Sequence, residues 1–228
     1  MIGILGAMDT EVRTLIAALE NKKEETITTM TFARGTLSGK DVVVCKCGIG
    51  KVCAAMCAEI MVLRYGVSHI INTGVAGAID KRLHVADTVI AQTLVQWDVD
   101  TSALGDPIGY LSQLCQIEMP CDSELVNKAK ALMEEKNIPH LLGTVATGDR
   151  FVAKEEEKRF LREQFHATAC EMEGGAMAQA ATMNGIPFLV LRAISDTADE
   201  GASMDYPTFV EKAAAVMADF VLDFVALL

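Results

Sequence analysis

Short apolar runs alternate with longer amphipathic runs from one end of this chain to the other. Strands and the helices that cover them leave this pattern in an α/β fold. The apolar runs predict strands over Ile2–Ala7, Asp41–Lys46, His69–Thr73, Asp87–Thr93, Leu142–Thr147 and Pro187–Ala193. Ile27–Thr36, with polar residues interleaved, and Thr168–Met172 also read as extended. Helical spacing predicts helices over Thr10–Asn21, Val52–Tyr65, Ser123–Lys136, Lys154–Gln164, Gly174–Asn184 and Thr208–Leu227. Gly66 and Gly185 follow two of these directly, as helix C-caps do. Val52–Met61 is apolar nearly all round, which predicts a buried helix. No repeat and no Pro/Gly/Ser-rich linker divides the chain. The expectation is one domain over residues 1–228, a three-layer α/β/α fold whose central mixed sheet is too large to be purely parallel.

Leu94 to Pro120 breaks the rhythm. It carries Trp97, Asp98, Asp100, Gly105, Pro107 and Gly109 without a clear period. A connection this long in a compact domain usually serves as a binding loop, a lid or an oligomer contact. The only Trp, Tyr110 and several leucines lie in it, which favours a functional or interface role over a loose surface excursion.

Charge narrows the partners. Twenty Lys plus Arg stand against 31 Asp plus Glu, a formal net charge of -11, with no basic cluster. Such a field repels a phosphate backbone, so nucleic acid is not expected as a partner. No stretch reaches the roughly 20 apolar residues of a membrane-spanning helix, and the start reads as a folded strand rather than a signal peptide. Cys45, Cys47, Cys53, Cys57, Cys115, Cys121 and Cys170 are an odd number, so they cannot all pair within one chain. Cys53 and Cys57 sit at helical spacing among Ala and Met, as small core residues. No second close pair supplies metal-ligand spacing, so neither a metal nor an organic cofactor is expected. Structural thiols in a reducing cytoplasm are the reading that remains.

Familiar glycine motifs are incomplete here. Gly35–Asp41 is too short for a P-loop and puts Asp41 where a magnesium-binding hydroxyl belongs. Gly48-Ile49-Gly50-Lys51 lacks the third glycine of a dinucleotide fingerprint, and Asn72-Thr73-Gly74-Val75-Ala76-Gly77 reads as another tight strand exit. Together they put glycines after several strands, where backbone N–H groups can approach a small ligand. The histidines show no HExxH spacing, and there is no G-x-S-x-G elbow.

Acidic residues gather at strand ends. Glu11 follows the first strand, Glu171-Met172-Glu173-Gly174 closes another and opens a helix, and Arg192 through Asp199 closes the strand Phe188–Leu191. Ligands in α/β sheets sit at the carboxyl ends of strands. One Glu in a first helical turn is explained by the helix dipole. Three carboxylates and an Arg, all at strand exits, point instead to a shared site.

These motifs in this order resemble the 5′-methylthioadenosine/S-adenosylhomocysteine nucleosidases of the nucleoside phosphorylase superfamily. The resemblance runs through G-A-M-D-T-E-V at 6–12, G-I-G-K at 48–51, N-T-G-V-A-G at 72–77 and D-V-D-T-S-A-L-G-D-P at 98–107. It continues through T-G-D-R-F-V at 147–152, E-M-E-G at 171–174 and R-A-I-S-D-T-A-D at 192–199. It implies a nucleoside phosphorylase-like fold and hydrolysis of the N-glycosidic bond between adenine and a 5′-thio-substituted ribose, without metal or cofactor.

By the same resemblance, Glu11 is the general base on the attacking water, and Arg192 and Glu173 help position that water. Glu173 also accepts ribose hydroxyl protons, and Met172 lies along the sugar. Asp196 is the general acid at adenine N7, with Ser195 bonded to its carboxylate. Val152 reads the adenine edge, Phe151 stacks on the base, and Gly77 belongs to the binding surface. Met8, Ile49 and Tyr206 line the 5′-alkylthio end, joined by residues of the 95–114 loop from a second subunit of a homodimer. Val75, Trp97, Ala78 and Gly174-Gly175 depart from common family residues, which bears on the 5′ group and loop geometry.

The chemistry itself asks for such residues. Departure of adenine builds positive charge on ribose and negative charge on the purine, so an acid at N7 and carboxylates near the sugar stabilise the transition state. Asp196 must then hold a proton near neutral pH, raised by burial or a neighbouring acid. The rivals are a phosphorolytic transferase of the same fold, hydrolysis of another 5′-modified adenosine such as aminodeoxyfutalosine or 5′-deoxyadenosine, and a non-catalytic nucleoside-binding module.

Overall fold

The computed structural model describes residues 1–196 and 202–228, with side chains from residue 210 onward in the second stretch. In chain order the elements are β1 (Ile2–Gly6), α1 (Asp9–Ala17), β2 (Glu20–Ile27), β3 (Met30–Leu37), β4 (Lys40–Lys46), α2 (Lys51–Tyr65), β5 (His69–Ala78) and β6 (Thr88–Gln96). There follow β7 (Met119–Pro120), α3 (Ser123–Glu135), β8 (His140–Thr147), α4 (Glu155–Phe165), β9 (Ala167–Glu171), α5 (Gly174–Met183), β10 (Phe188–Asp196) and α6 (Ala202–Ala226).

All strands join one mixed sheet. β1 is its buried centre, parallel to β4 on one side and β5 on the other, with Ile4 level with Val44 and Ile71. Beyond β4 the sheet runs antiparallel through β3 to β2. Beyond β5 it closes on itself: β5 pairs both β10 and β9, and β10, β6, β8 and β9 complete the circuit. The β5–β9 joint is antiparallel, pairing Gly77 with Cys170 and Ala78 with Ala169 at the carboxyl end of each strand. That joint brings the exits of β8 and β9 beside the exits of β1, β5 and β10. α1 and α3 pack on α6 in one helical layer, and α2 packs on α5 in another. The main core is built of β-branched and aliphatic strand residues such as Ile4, Val43, Ile71, Ile90 and Leu191, each fully buried. No described helix is long and apolar enough to cross a membrane.

Three local expectations are corrected. The first helix stops at Ala17 rather than Asn21, and residues 20–27 form a strand of their own. β2 is an exposed edge strand whose charges at Glu20, Lys22, Lys23, Glu24 and Glu25 erase the apolar alternation. Edge strands carry charge because it discourages pairing with another chain. β5 continues to Ala78, so Gly74–Gly77 is strand rather than an exit turn. α2 is not buried all round: Val52 is 68% exposed and Leu63 74%, with Met56 also open. Gly66 does close α2 in the left-handed conformation at φ 60°.

Candidate active site

Glu11 is placed by the first turn of α1, at the third helical position, where it reaches back over the exit of β1. Its Oε2 accepts hydrogen bonds from the Ala7 (2.7 Å) and Met8 (2.9 Å) N–H groups, and its Oε1 accepts one from Val75 (3.0 Å). The carboxylate can lie on β5 because Gly74 has no side chain: a Cβ there would stand 2.6 Å from Glu11 Oε1. Burial pushes the Glu11 pKa above its ordinary 4.5, opposed by the Arg192 charge and the three N–H donors.

Arg192 lies in the middle of the wholly buried β10 and is 1% exposed. Its Nη2 donates to Asn72 Oδ1 and to Glu171 Oε2, each at 2.5 Å, and its Nη1 donates to the Asn72 carbonyl at 3.2 Å. Asn72 is fixed in turn by donating to the Leu5 carbonyl (3.1 Å). Glu171 also accepts from the Thr147 hydroxyl and from the N–H groups of Glu173 (2.9 Å) and Gly174 (2.6 Å). Arg192 therefore faces the cleft from behind, through Glu171, and its Nε–H has no partner among the described residues.

Glu173 caps the start of α5, and its Oε1 accepts the Gly50 N–H at 2.9 Å. Burial, and next the adjacent Glu171 carboxylate, push its pKa up to about 7, against the pull of Arg192. Asp196 ends β10 with Ser195 Oγ donating to its Oδ1 at 3.0 Å. It rests against Gly77, where a Cβ would come within 3.2 Å of Oδ2. Burial raises the Asp196 pKa, and Ser195 and the Lys158 ammonium, 4.0 Å from Oδ2, oppose it.

Ten of the residues singled out from the sequence line one open cleft: Met8, Glu11, Ile49, Gly77, Phe151, Val152, Met172, Glu173, Ser195 and Asp196. Val152 is buried, whereas Ile49 and Phe151 stand exposed at the rim. Arg192 is not part of the wall, and the Tyr206 side chain lies outside the described residues. The loop carrying Phe151 and Val152 is tied down at Asp149. Asp149 accepts the Lys51 N–H (2.7 Å), and Asp98 accepts the Asp149 N–H (2.9 Å) and the Lys51 ammonium (2.6 Å). Sequence reasoning missed Glu171, Asn72 and Lys158 as members of the site. A lone arginine inside an apolar strand was the available signal, because a buried guanidinium requires a carboxylate. Among the described residues no group of three or more His, Cys, Asp or Glu is placed to hold a metal ion, and all seven cysteines are unpaired.

A family profile for the phosphorylase superfamily matches residues 1–226. A 5′-methylthioadenosine/S-adenosylhomocysteine nucleosidase of Shewanella frigidimarina is 39% identical over 214 residues, covering 93% of both chains. A crystal structure of the Helicobacter pylori 5′-methylthioadenosine/S-adenosyl homocysteine nucleosidase superposes with a TM-score of 0.95 at 37% identity, covering 100% of this chain and 98% of that one. A structure of a futalosine hydrolase of Helicobacter pylori gives 0.95 at 37% identity, covering 100% of this chain and 97% of that one.

The position of Glu173 makes stability depend on pH. Its folded pKa of about 7 exceeds the unfolded 4.5, so the folded state binds more protons in between. This contribution is full below the unfolded pKa and is lost as pH rises through the folded one. The melting temperature of the wild type relative to Glu173→Gln should therefore fall from pH 4.5 to about 7, and thermal unfolding across that window checks it.

Proposed function

This chain belongs to the phosphorylase superfamily and, within it, to the 5′-methylthioadenosine/S-adenosylhomocysteine nucleosidases, and we propose that its cleft hydrolyses the N-glycosidic bond of those two nucleosides. The products are adenine and the 5-thio-substituted ribose. The observation that carries this reading is the contrast between two carboxyl groups in one cleft. Glu11 accepts three backbone N–H donors with Arg192 behind it, and these oppose the raising effect of its burial and suit an accepting carboxylate. Asp196 is buried with one hydroxyl on Oδ1, an environment that retains a proton. Burial raises both carboxyls, so what separates base from acid is the donors they accept: three backbone N–H groups on Glu11 against one hydroxyl on Asp196.

In the reaction, water adds through its oxygen to C1′ while the C1′–N9 bond breaks and its electron pair goes to adenine. Glu11 takes the proton from the water, and Asp196 gives its proton to N7. Burial raises the basicity of Glu11, which strengthens it as a base. Glu173, fixed by Gly50, receives ribose hydroxyl protons, and the negative cleft stabilises the cationic sugar of the transition state. Met172 supplies apolar contact along the sugar, Phe151 covers the base, and the Val152 backbone meets its edge. Met8 and Ile49 line the 5′ end.

Phosphate is a poor co-substrate for this cleft. Arg192 is engaged by Glu171 and Asn72, and Arg150 at the rim by Glu157. Anion binding needs uncommitted Arg, Lys or backbone donors. A second reading changes only the 5′ group: the likeness to a futalosine hydrolase equals that to the nucleosidase in TM-score. Val75 and the exposed Ile49 line that end of the cleft and leave it open at the rim.

We also propose that residues 1–228 form one catalytic unit and that two copies associate. Val52 and Met56 of α2 and Met183 of α5 stand exposed beside a groove bounded by Ile60 and Ala180. Leu104, 84% exposed, tips the long loop after β6. An apolar face of this kind fits a self-complementary interface, and a partner's loop would close the open 5′ end. The unpaired thiols support a reducing, cytoplasmic location, and the proposed substrates support a role in methionine salvage and nucleoside catabolism.

Analytical ultracentrifugation should show a dimer at micromolar concentration, and a fully active monomer would contradict this. Adenine release from 5′-methylthioadenosine tests the roles directly. Asp196→Asn and Glu11→Gln should each lower kcat by roughly 10²–10⁴-fold, with little change in KM for Asp196→Asn. If the two carboxylates serve only the fold, each variant would instead lose about 0.5–2 kcal/mol of stability and keep its rate.

A further inference from the structure

α4 turns an amphipathic stripe of Lys158, Leu161 and Phe165 toward the sheet. The spacing of that stripe is the one at which a core-facing helix carries apolar residues. Leu161 and Phe165 obey it, packing with Ile79, Val152 and Cys170 in the smaller core cluster. Lys158 does not, although it is only 3% exposed. A lysine is almost never buried to this degree without an opposite charge to meet. Its Nζ stands 4.0 Å from Oδ2 of Asp196, the oxygen that does not receive the Ser195 hydroxyl.

We propose that Lys158 is a positioning residue for the proton donor, holding its ammonium beside the Asp196 carboxyl so that the carboxylate left by proton transfer forms an ion pair at once. This rests on the reading of Asp196 as the acid at N7. Burial alone would keep the proton on Asp196 and make it a reluctant donor, since desolvation penalises the ionised form. An opposite charge within about 4–6 Å favours that form. The two influences act at different moments: burial keeps the acid loaded in the free enzyme, and the ammonium makes it a stronger acid as N7 takes the proton. The pair is thus worth more in the transition state than in the ground state, the condition for raising kcat.

Other groups around the carboxyl do not duplicate this charge. β5 meets Asp196 with Gly77, and β9 meets it with the buried thiol of Cys170. Glu171 of β9 and Glu157 of α4 act on that same thiol and carry the opposite sign to Lys158. Arg192 of β10 is committed to Glu171 and Asn72. Among the described residues, Lys158 is the cation whose charge reaches Asp196.

The test is the pH profile of kcat/KM for adenine release from 5′-methylthioadenosine by the full-length protein, with thermal unfolding in parallel. The alkaline limb reports loss of the proton from Asp196. Lys158→Met keeps the stem and removes the charge, so the limb should move up by about one pH unit while the plateau kcat falls about tenfold. Lys158→Arg should return both toward the wild type. Should Lys158→Met fail to fold, Lys158→Gln carries the same expectation. A limb and plateau unchanged in the uncharged variant, with or without a lower melting temperature, overturns the proposal. Asp196→Asn in the same series separates the two levels. If it loses its rate while the Lys158 variants match the wild type, only the role of Lys158 falls. If it keeps a normal rate, the assignment of the acid falls and the proposal with it.

Discussion

Arg192 puts a permanent charge into the centre of an apolar strand, where water cannot reach it. Such a group is tolerated when its charge is matched by a carboxylate and most of its donors are engaged. Glu171 supplies the charge and Asn72 two acceptors, and in meeting Arg192 they join the carboxyl end of β9 to the interiors of β5 and β10. Removing one partner of a buried pair costs about 3–5 kcal/mol, because the other is left uncompensated. The cleft inherits its geometry from that pair. Glu171 simultaneously receives the N–H groups of Glu173 and Gly174, so the arginine fixes where α5 starts and where Glu173 points.

The sheet makes this convergence possible. Were it open, the exits of β8 and β9 would lie far from those of β1 and β5. The antiparallel joint between β5 and β9 closes the circuit and sets Gly77 against both Cys170 and Asp196. Charges are then distributed by depth. Carboxyl groups face the cleft, and the cations sit behind or beside them: Arg192 behind Glu171, and Lys158 beside Asp196. A nucleoside entering the cleft meets negative groups at the sugar and no uncommitted cation among the described residues. That arrangement suits water as the nucleophile and a sugar that becomes positive.

Much of the architecture was legible because most strands are buried on both faces and announce themselves as continuous apolar runs. Carboxylates at strand exits were legible for the same reason, standing out against apolar neighbours. What escaped was written in a weaker code. β2 hides its period under the charges of an edge strand, and the second half of β5 hides under glycines present for the close approach of Glu11 and Asp196. Glu171 was masked by Glu173, since one carboxylate at that turn already had a role. Lys158 looked like an ordinary charge in the run 154–159, and only its place in the stripe with Leu161 and Phe165 separates it from its neighbours. Apolar composition does not say which face of a helix is buried, and Val52, Met56 and Leu63 of α2 stay exposed.

The central claim is that this carboxylate cleft delivers water, and no other nucleophile, to the anomeric carbon of a 5′-thio-substituted adenosine. Product analysis decides it most directly: 5′-methylthioadenosine is turned over in phosphate buffer and the products are followed by ¹H and ³¹P NMR. The account predicts free adenine with an equal amount of the free reducing sugar, at a rate that does not depend on phosphate. A sugar 1-phosphate signal growing in step with adenine, or turnover that stops when phosphate is withdrawn, would contradict it.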